Sequence, residues 1–317
     1  MRRTTILSLG LIAILAAACT SPGASASPTA SSAPSASIAA ASITPSVAPT
    51  PNVCAAANLK LVAAGKLTIG TDNPAFPPYF AENADGHKTA PWEFGDPTNG
   101  QGFESAVAYA VAKQLGFTTD GVVWAYTPFD NSYKPGPKSF DFDINQVSFT
   151  AERATVVDMS DGYYFVNQAV VSLAANPISS VTSMSGLKAF KFGAQVGTTS
   201  YKTITDTIKP TAEASVYNDN DAAIAALNAK QIDAIVVDLP TAFYMTGSGQ
   251  IKDGKVVGQF ASPSGADAEH FSIVLAKGSA LTACVNAAIK TLNDSGSLAA
   301  ITQEWLSDKV SAPVFTP

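Results

Sequence analysis

Phe142-Asp143-Ile144-Asn145-Gln146-Val147-Ser148-Phe149-Thr150-Ala151-Glu152-Arg153-Ala154-Thr155-Val156-Val157-Asp158-Met159-Ser160-Asp161-Gly162-Tyr163-Tyr164-Phe165 reads as a short strand, a polar turn ending on one arginine, and a second extended segment rich in aromatics. On spacing alone, an arginine placed after a strand is more often a solvated surface charge than a binding group. The flanking elements decide the setting. Upstream, Lys66-Leu67-Thr68-Ile69-Gly70 predicts a short buried strand. Phe103, Val107, Val111 and Leu115 then fall on one helix face, opened at Gly102 and stopped by Gly116. Residues 121–126 and 143–147 predict two further strands, so the pattern is βαβ with a largely parallel sheet.

Downstream, residues 169–173 form an extended run without turn residues, and a second cycle follows. It comprises a strand at 191–194, a helix at 200–208, a strand at 215–217, a helix at 222–229 and a buried strand at 232–237. Residues 271–275 are extended again. Leu281, Val285, Ile289 and Leu292 then mark one face of a helix, and a last helix runs through Trp305. Two α/β cycles joined by two extended crossings predict two lobes, 54–169 with 271–317 and 170–270.

The 317 residues carry 19 basic and 25 acidic side chains. Without Arg2 and Arg3 the balance is 17 against 25, a net −8, which argues against nucleic acid and against a polybasic membrane patch. The two histidines, His87 and His270, sit in no ligand motif, so neither a metal nor a cofactor is expected. Cys54 and Cys284 lie far apart with no metal spacing; in an exported protein they predict a disulfide, the alternative being two buried thiols.

Met1-Arg2-Arg3 followed by an apolar run to Ala18 predicts a signal peptide over 1–18. Leu15-Ala16-Ala17-Ala18-Cys19 is similar to a bacterial lipobox, with Ala16 departing from the usual leucine. This predicts acylation of Cys19 and attachment to the outer face of the cell membrane; plain secretion is the alternative. Residues 19–53, almost wholly Ser, Ala, Pro and Thr, cannot bury enough apolar surface to fold and predict a tether.

From about residue 59 to 306 the chain resembles the polar-amino-acid class of periplasmic-type solute-binding proteins of ABC importers (extracellular solute-binding family 3). The resemblance rests on Thr150-Ala151-Glu152-Arg153 leading to Asp158-Met159-Ser160 and Tyr163-Tyr164, and on the opening strand ending in Asp72. Gly102-Phe103-Glu104, Gly197-Thr198-Thr199-Ser200, the strand ending in Asp238, and the closing segment from Leu292 to Trp305 complete it in the same order. It implies a two-lobed, type II periplasmic-binding-protein-like α/β fold, each lobe a mixed, mostly parallel sheet with flanking helices, and two hinge crossings. It also implies that Arg153 clamps a ligand carboxylate, aided by Ser148 and the backbone of Gly197, Thr198 and Thr199, with Gln146 a further candidate beside it. Asp238 and Asp72 would bind the ammonium or side chain, and Phe76 and Phe129 would wall the side chain, with Trp92 a weaker candidate.

The chemistry agrees: a guanidinium fork pairs a carboxylate through two charge-assisted hydrogen bonds, and a helix N-terminus welcomes an anion. By residue type alone, Asp238 equally suits an N-cap, Asp72 a turn and Glu104 a favourable charge at a helix start. The chain departs from the family at Gln146, where relatives carry a small residue, at Gln195, and in the loop 131–139, which replaces a short helix. The expected function is capture of a polar amino acid by a monomeric, membrane-anchored protein that delivers it to ABC permease subunits. The alternatives are an arogenate-like dehydratase on the same fold and a ligand-sensing domain.

Overall fold

The computed structural model describes residues 53–261, 265, 268–306 and 311–317. The predicted leader, Cys19 and the tether up to residue 52 lie outside the described residues. Among these residues, ten strands form two five-stranded sheets, ordered β2-β1-β3-β10-β4 and β7-β6-β8-β5-β9. The first holds β1 (Leu67–Thr71), β2 (Val122–Tyr126), β3 (Phe142–Asp143), β4 (Asp158–Phe165) and β10 (His270–Leu275). The second holds β5 (Gln168–Leu173), β6 (Phe192–Gln195), β7 (Ser215–Tyr217), β8 (Ala234–Asp238) and β9 (Gly254–Gln259). Helices α1 (Phe103–Gln114), α2 (Phe129–Ser132), α3 (Ala151–Val156), α4 (Met184–Leu187), α5 (Thr199–Lys202), α6 (Asn220–Asn228), α7 (Leu239–Gly247), α8 (Leu281–Asp294) and α9 (Ser297–Trp305) flank them.

The chain passes between sheets twice, after β4 and before β10. The sheets are mixed as expected, with four of five strands in each running the same way and only β10 in the first and β5 in the second reversed. Each sheet has two parallel and two antiparallel neighbour pairs, because one reversed strand, β10 or β5, sits between two others. β9 was not predicted; its glycines at both 254 and 258, and a register shift opposite Val170 and Val171, hide the alternation. The predicted strand at 143–147 shrinks to Phe142–Asp143, since Gln146 turns to φ 47° and bends the chain. The helix predicted at 200–208 is α5 followed by a π-helical turn, Thr203–Ile208. The loop expected to replace a short helix in fact begins with one, α2.

In the first lobe Leu67, Ile69, Phe103, Val107, Val111, Phe142, Phe271, Val285 and Ile289 share one core, formed by the predicted apolar faces of α1 and α8. Trp92 joins this core and does not line the cleft described below. The second sheet is covered on both faces. Along β5, Ala169 and Val171 join one cluster and Val170 the other, as the period of two demands.

The segment 311–317 departs from its expected place in the first lobe. Ala312 and Phe315 join the cores of the second, and Val314 bridges to Gln259. These apolar side chains find cover there that a free end would lack.

Cys54 and Cys284 are bridged, with Cα atoms 5.4 Å apart across 230 residues of sequence. A loop of that size loses much unfolded-state entropy when closed, and such a bridge contributes about 2–4 kcal/mol. Replacing both cysteines by serine is expected to lower the melting temperature by roughly 5–10 °C in a calorimetric scan; an unchanged value would show that the bridge adds nothing to stability.

Candidate functional site

A cavity of about 420 Å³ lies between the two sheets. Its walls come from residues at or just beyond the carboxyl ends of β1, β2 and β3 on one side and β6, β7 and β8 on the other. Open α/β sheets place ligands at such ends, where loops and helix N-termini converge. Arg153, Asp238, Asp72, Ser148, Thr198, Thr199, Phe76, Phe129 and Gln146 all line it, so the structure brings together nine of the ten predicted binding residues. The tenth, Gly197, borders it through a contact to Arg153.

Arg153 is only 7% exposed. Thr150 caps α3 by accepting from the Arg153 backbone N–H at 3.1 Å, which fixes the start of the side chain. Arg153 Nη1 donates to the Ser148 carbonyl at 2.6 Å and Nη2 to the Gly197 carbonyl of the second lobe at 2.8 Å. The guanidinium lies over the ring of Tyr133, 4.3 Å from its centroid, with Phe129 at 5.6 Å. Tyr133 was not foreseen; its position in a Pro- and Gly-rich loop hid it.

Gly197 has φ 73°, and a Cβ there would meet the Tyr133 hydroxyl at 2.5 Å. A side chain is therefore excluded where the loop passes Arg153. The Gly197 carbonyl, rather than its N–H, makes the observed contact. Further ties cross the cleft: Tyr79 Oη to Thr241 Oγ1 at 3.1 Å, Thr199 Oγ1 to Ser148 Oγ at 3.3 Å, and Lys202 to Glu152 at 2.7 Å.

The rest of the cavity is acidic. Arg153 is its one cationic side chain among the described residues, against Asp72, Asp130, Asp219, Asp221 and Asp238. Burial pushes Asp72 up to about 6; its oxygens accept from the N–H groups of Asn73 (2.7 Å) and Phe129 (3.2 Å), and Asp130 and Asp219 raise it further. Asp238 ends β8 and precedes Pro240, yet its side chain makes no capping bond to α7. Burial, with Glu269 nearby, holds its carboxyl well above the usual range, while Gln168 and Arg153 pull it down. Asn145, 6% exposed on the cavity wall, has an Nδ2 donor without a partner among the described residues.

Glu104 lies behind the cavity, with no exposure. It accepts from the Tyr163 hydroxyl, from the Gln146 side-chain amide, and from the Gln146 backbone N–H at 2.7 Å. The residue expected as a simple helix-start charge thus holds Gln146 in its left-handed conformation at the cavity wall. Nothing in the G-F-E pattern at 102–104 signals this, since the partner lies 42 residues on.

Burial raises Glu104 to about 7 despite these donors. The folded protein therefore keeps a proton that the unfolded chain releases near 4.5, and stability from this group falls as pH rises from about 4.5 to 7. The full effect is roughly 3 kcal/mol. Glu104→Gln should flatten the decline in melting temperature between pH 5 and 8; an unaltered slope would assign the titration elsewhere.

With this geometry in place, the sequence comparison is direct. The chain belongs to the bacterial extracellular solute-binding proteins, family 3, whose sequence profile matches residues 67–308. It is 32% identical over 156 residues to a probable histidine-binding protein of Campylobacter jejuni, the match covering 48% of this chain and 57% of that relative's length. It is 24% identical over 220 residues to the arginine-binding extracellular protein ArtP of Bacillus subtilis, covering 68% and 82%. Its fold is similar to an ancestral arginine-binding protein bound to glutamine, with 27% identity, a TM-score of 0.62, and coverage of 78% of this chain and 100% of that one. It is also similar to an ancestral amino-acid-binding protein described as a precursor of cyclohexadienyl dehydratase, at 25% identity and a TM-score of 0.59, covering 76% and 95%. The fold is that of the type II periplasmic amino-acid-binding proteins, and the named relatives are binding proteins. No helix among the described residues is long and apolar enough to cross a membrane.

Proposed function

We propose that the protein is the extracytoplasmic substrate-binding component of an ABC importer, which captures a polar amino acid between its lobes and delivers it to permease subunits. In this reading Cys19 carries the lipid anchor and the monomer works at the outer face of the membrane. The observation that carries the proposal is one buried guanidinium facing five carboxylates in a cavity of about 420 Å³ between two lobes. A zwitterion needs both charges paired on leaving water. Arg153 takes the carboxylate, together with the hydroxyls and N–H groups of Ser148, Thr198 and Thr199, and Asp238 takes the ammonium. Gln146 stands beside the carboxylate.

The surplus of acid at Asp72, Asp130, Asp219 and Asp221, between Phe76, Phe129, Tyr126 and Tyr244, favours a cationic side chain. The histidine- and arginine-binding relatives support the same ligand class. The dehydratase alternative gains little support, because the one strongly shifted glutamate, Glu104, is sealed behind Gln146 and faces no cavity.

Thermal unfolding against the common amino acids tests the reading. A ligand at about 100 times its Kd adds roughly 2.7 kcal/mol and shifts the transition by several degrees. Arg153→Ala is expected to weaken binding by about 2–5 kcal/mol, between roughly 30- and 5,000-fold; full affinity in that variant would remove Arg153 from the site.

A cationic ligand needs Asp72 ionised. Affinity should therefore fall as pH drops through about 6, roughly tenfold between pH 7 and 5. Titration calorimetry of Asp72→Asn should show weaker binding without that dependence; a variant that keeps it would move the titrating group away from Asp72.

A further inference from the structure

The two charged ends of the cavity are joined through the hinge by a continuous path. Ser148, whose carbonyl holds Arg153 Nη1 at 2.6 Å, donates through Oγ to Glu269 Oε1 at 2.9 Å. The same Glu269 oxygen accepts from Gln168 Nε2 at 3.0 Å, and Gln168 Nε2 also donates to Asp238 Oδ1 at 2.6 Å. Gln168 Oε1 in turn accepts from Ser200 Oγ at 2.7 Å. Glu269 precedes β10 in the second crossing, and its carbonyl accepts from Val166 N–H of the first crossing at 3.0 Å. Gln168 is the first residue of β5, 3% exposed, and pairs across the sheet with Asp238. Neither Glu269 nor Gln168 lines the cavity.

We infer that Glu269 and Gln168 are positioning residues that aim the Asp238 carboxylate at the ligand and tie that aim to closure of the lobes. This rests on the amino-acid reading above. An amide NH2 has two hydrogens, and here its two shorter contacts go to Asp238 and Glu269, with Thr199 Oγ1 at 3.4 Å a third, longer one. Gln168 therefore holds Oδ1 of Asp238 and leaves its second oxygen for a ligand ammonium. Glu269 joins Ser148 of the first lobe to Gln168 of the second, so rotation of one lobe about the crossings pulls on both bonds. Two carboxylates sharing one NH2 repel each other until a cation arrives, so an ammonium on Asp238 favours the joined, closed arrangement. A ligand shifts a conformational equilibrium only through such a difference in affinity between states.

The test uses the purified protein, with Glu269→Gln, Gln168→Ala and the double variant titrated with L-arginine, L-histidine and L-glutamine. Each single variant is expected to lose about tenfold or more in affinity, chiefly through faster dissociation. The double variant should be no more than about twofold weaker than the worse single one, because both changes break one path. The ligand-induced decrease in radius of gyration by X-ray scattering should shrink in all three, a readout that a residue serving only stability would not move.

Additive losses, or wild-type affinity in either single variant, would overturn the relay while leaving the amino-acid reading intact. If the wild-type protein binds none of the three probes, the amino-acid reading fails and the relay falls with it. Should Gln168→Ala not fold, Glu269→Gln alone decides through the same affinity and scattering measurements.

Discussion

The burial of the Arg153 charge is the constraint on which the site depends. Removing a guanidinium from water costs several kcal/mol unless donors and charge are both met. Among the described residues, no carboxylate is bonded to it. The compensation is two carbonyls, one from each lobe, and an aromatic face. Each partner requires a specific local structure. The Thr150 cap starts α3, the positive φ of Gly197 turns a carbonyl towards the cleft, and the segment after α2 brings Tyr133 alongside. Burial lowers the arginine's proton affinity, but Tyr133, Glu269 and Asp238 offset it, and a guanidinium stays charged in any case. A permanent buried cation without an anion is a standing demand for one.

The acids answer a different constraint. Glu104, Asp143, Asp72 and Asp238 are all raised by burial, but they are not alike. Glu104 is fully bonded and serves the backbone of Gln146. Asp143 has no exposure and no partner for either oxygen among the described residues, and its burial keeps the proton on. Only Asp72 and Asp238 meet the cavity while near enough to other groups for their charge to be set by what binds. Burial alone therefore does not mark a binding acid; a position on the cavity wall does.

The fold was legible because its periodic elements are long. The four-residue steps of α1 and α8 and the apolar runs of β1, β5 and β8 needed no tertiary information. β3 is shorter than its pattern predicts because the left-handed Gln146 bends the chain, and β9 escapes prediction because a bulged, glycine-bearing edge strand erases alternation. The cavity walls came from the resemblance at Arg153, Asp238 and the 197–199 loop. What remained hidden was all long-range: Glu104 meets Gln146, Tyr133 meets Arg153, and Glu269 meets Gln168 across 101 residues. Side-chain hydrogen bonds of that reach leave no period or spacing to read.

The division of charge between the lobes also implies an order of events. Arg153, Asp72, Phe76, Phe129 and Ser148 stand on the first lobe's elements, whereas Thr198, Thr199 and Asp238 stand on the second. Five N–H groups are available on a guanidinium, and the carbonyls of Ser148 and Gly197 engage one nitrogen each. Because the Ser148 carbonyl belongs to the same turn, it stays bonded whatever the other lobe does, and it holds the fork in place for an arriving carboxylate. The Gly197 carbonyl comes from the second lobe. In the proposed reading, capture on the first lobe would precede closure of the second, and a ligand ammonium at Asp238 would draw the second lobe in.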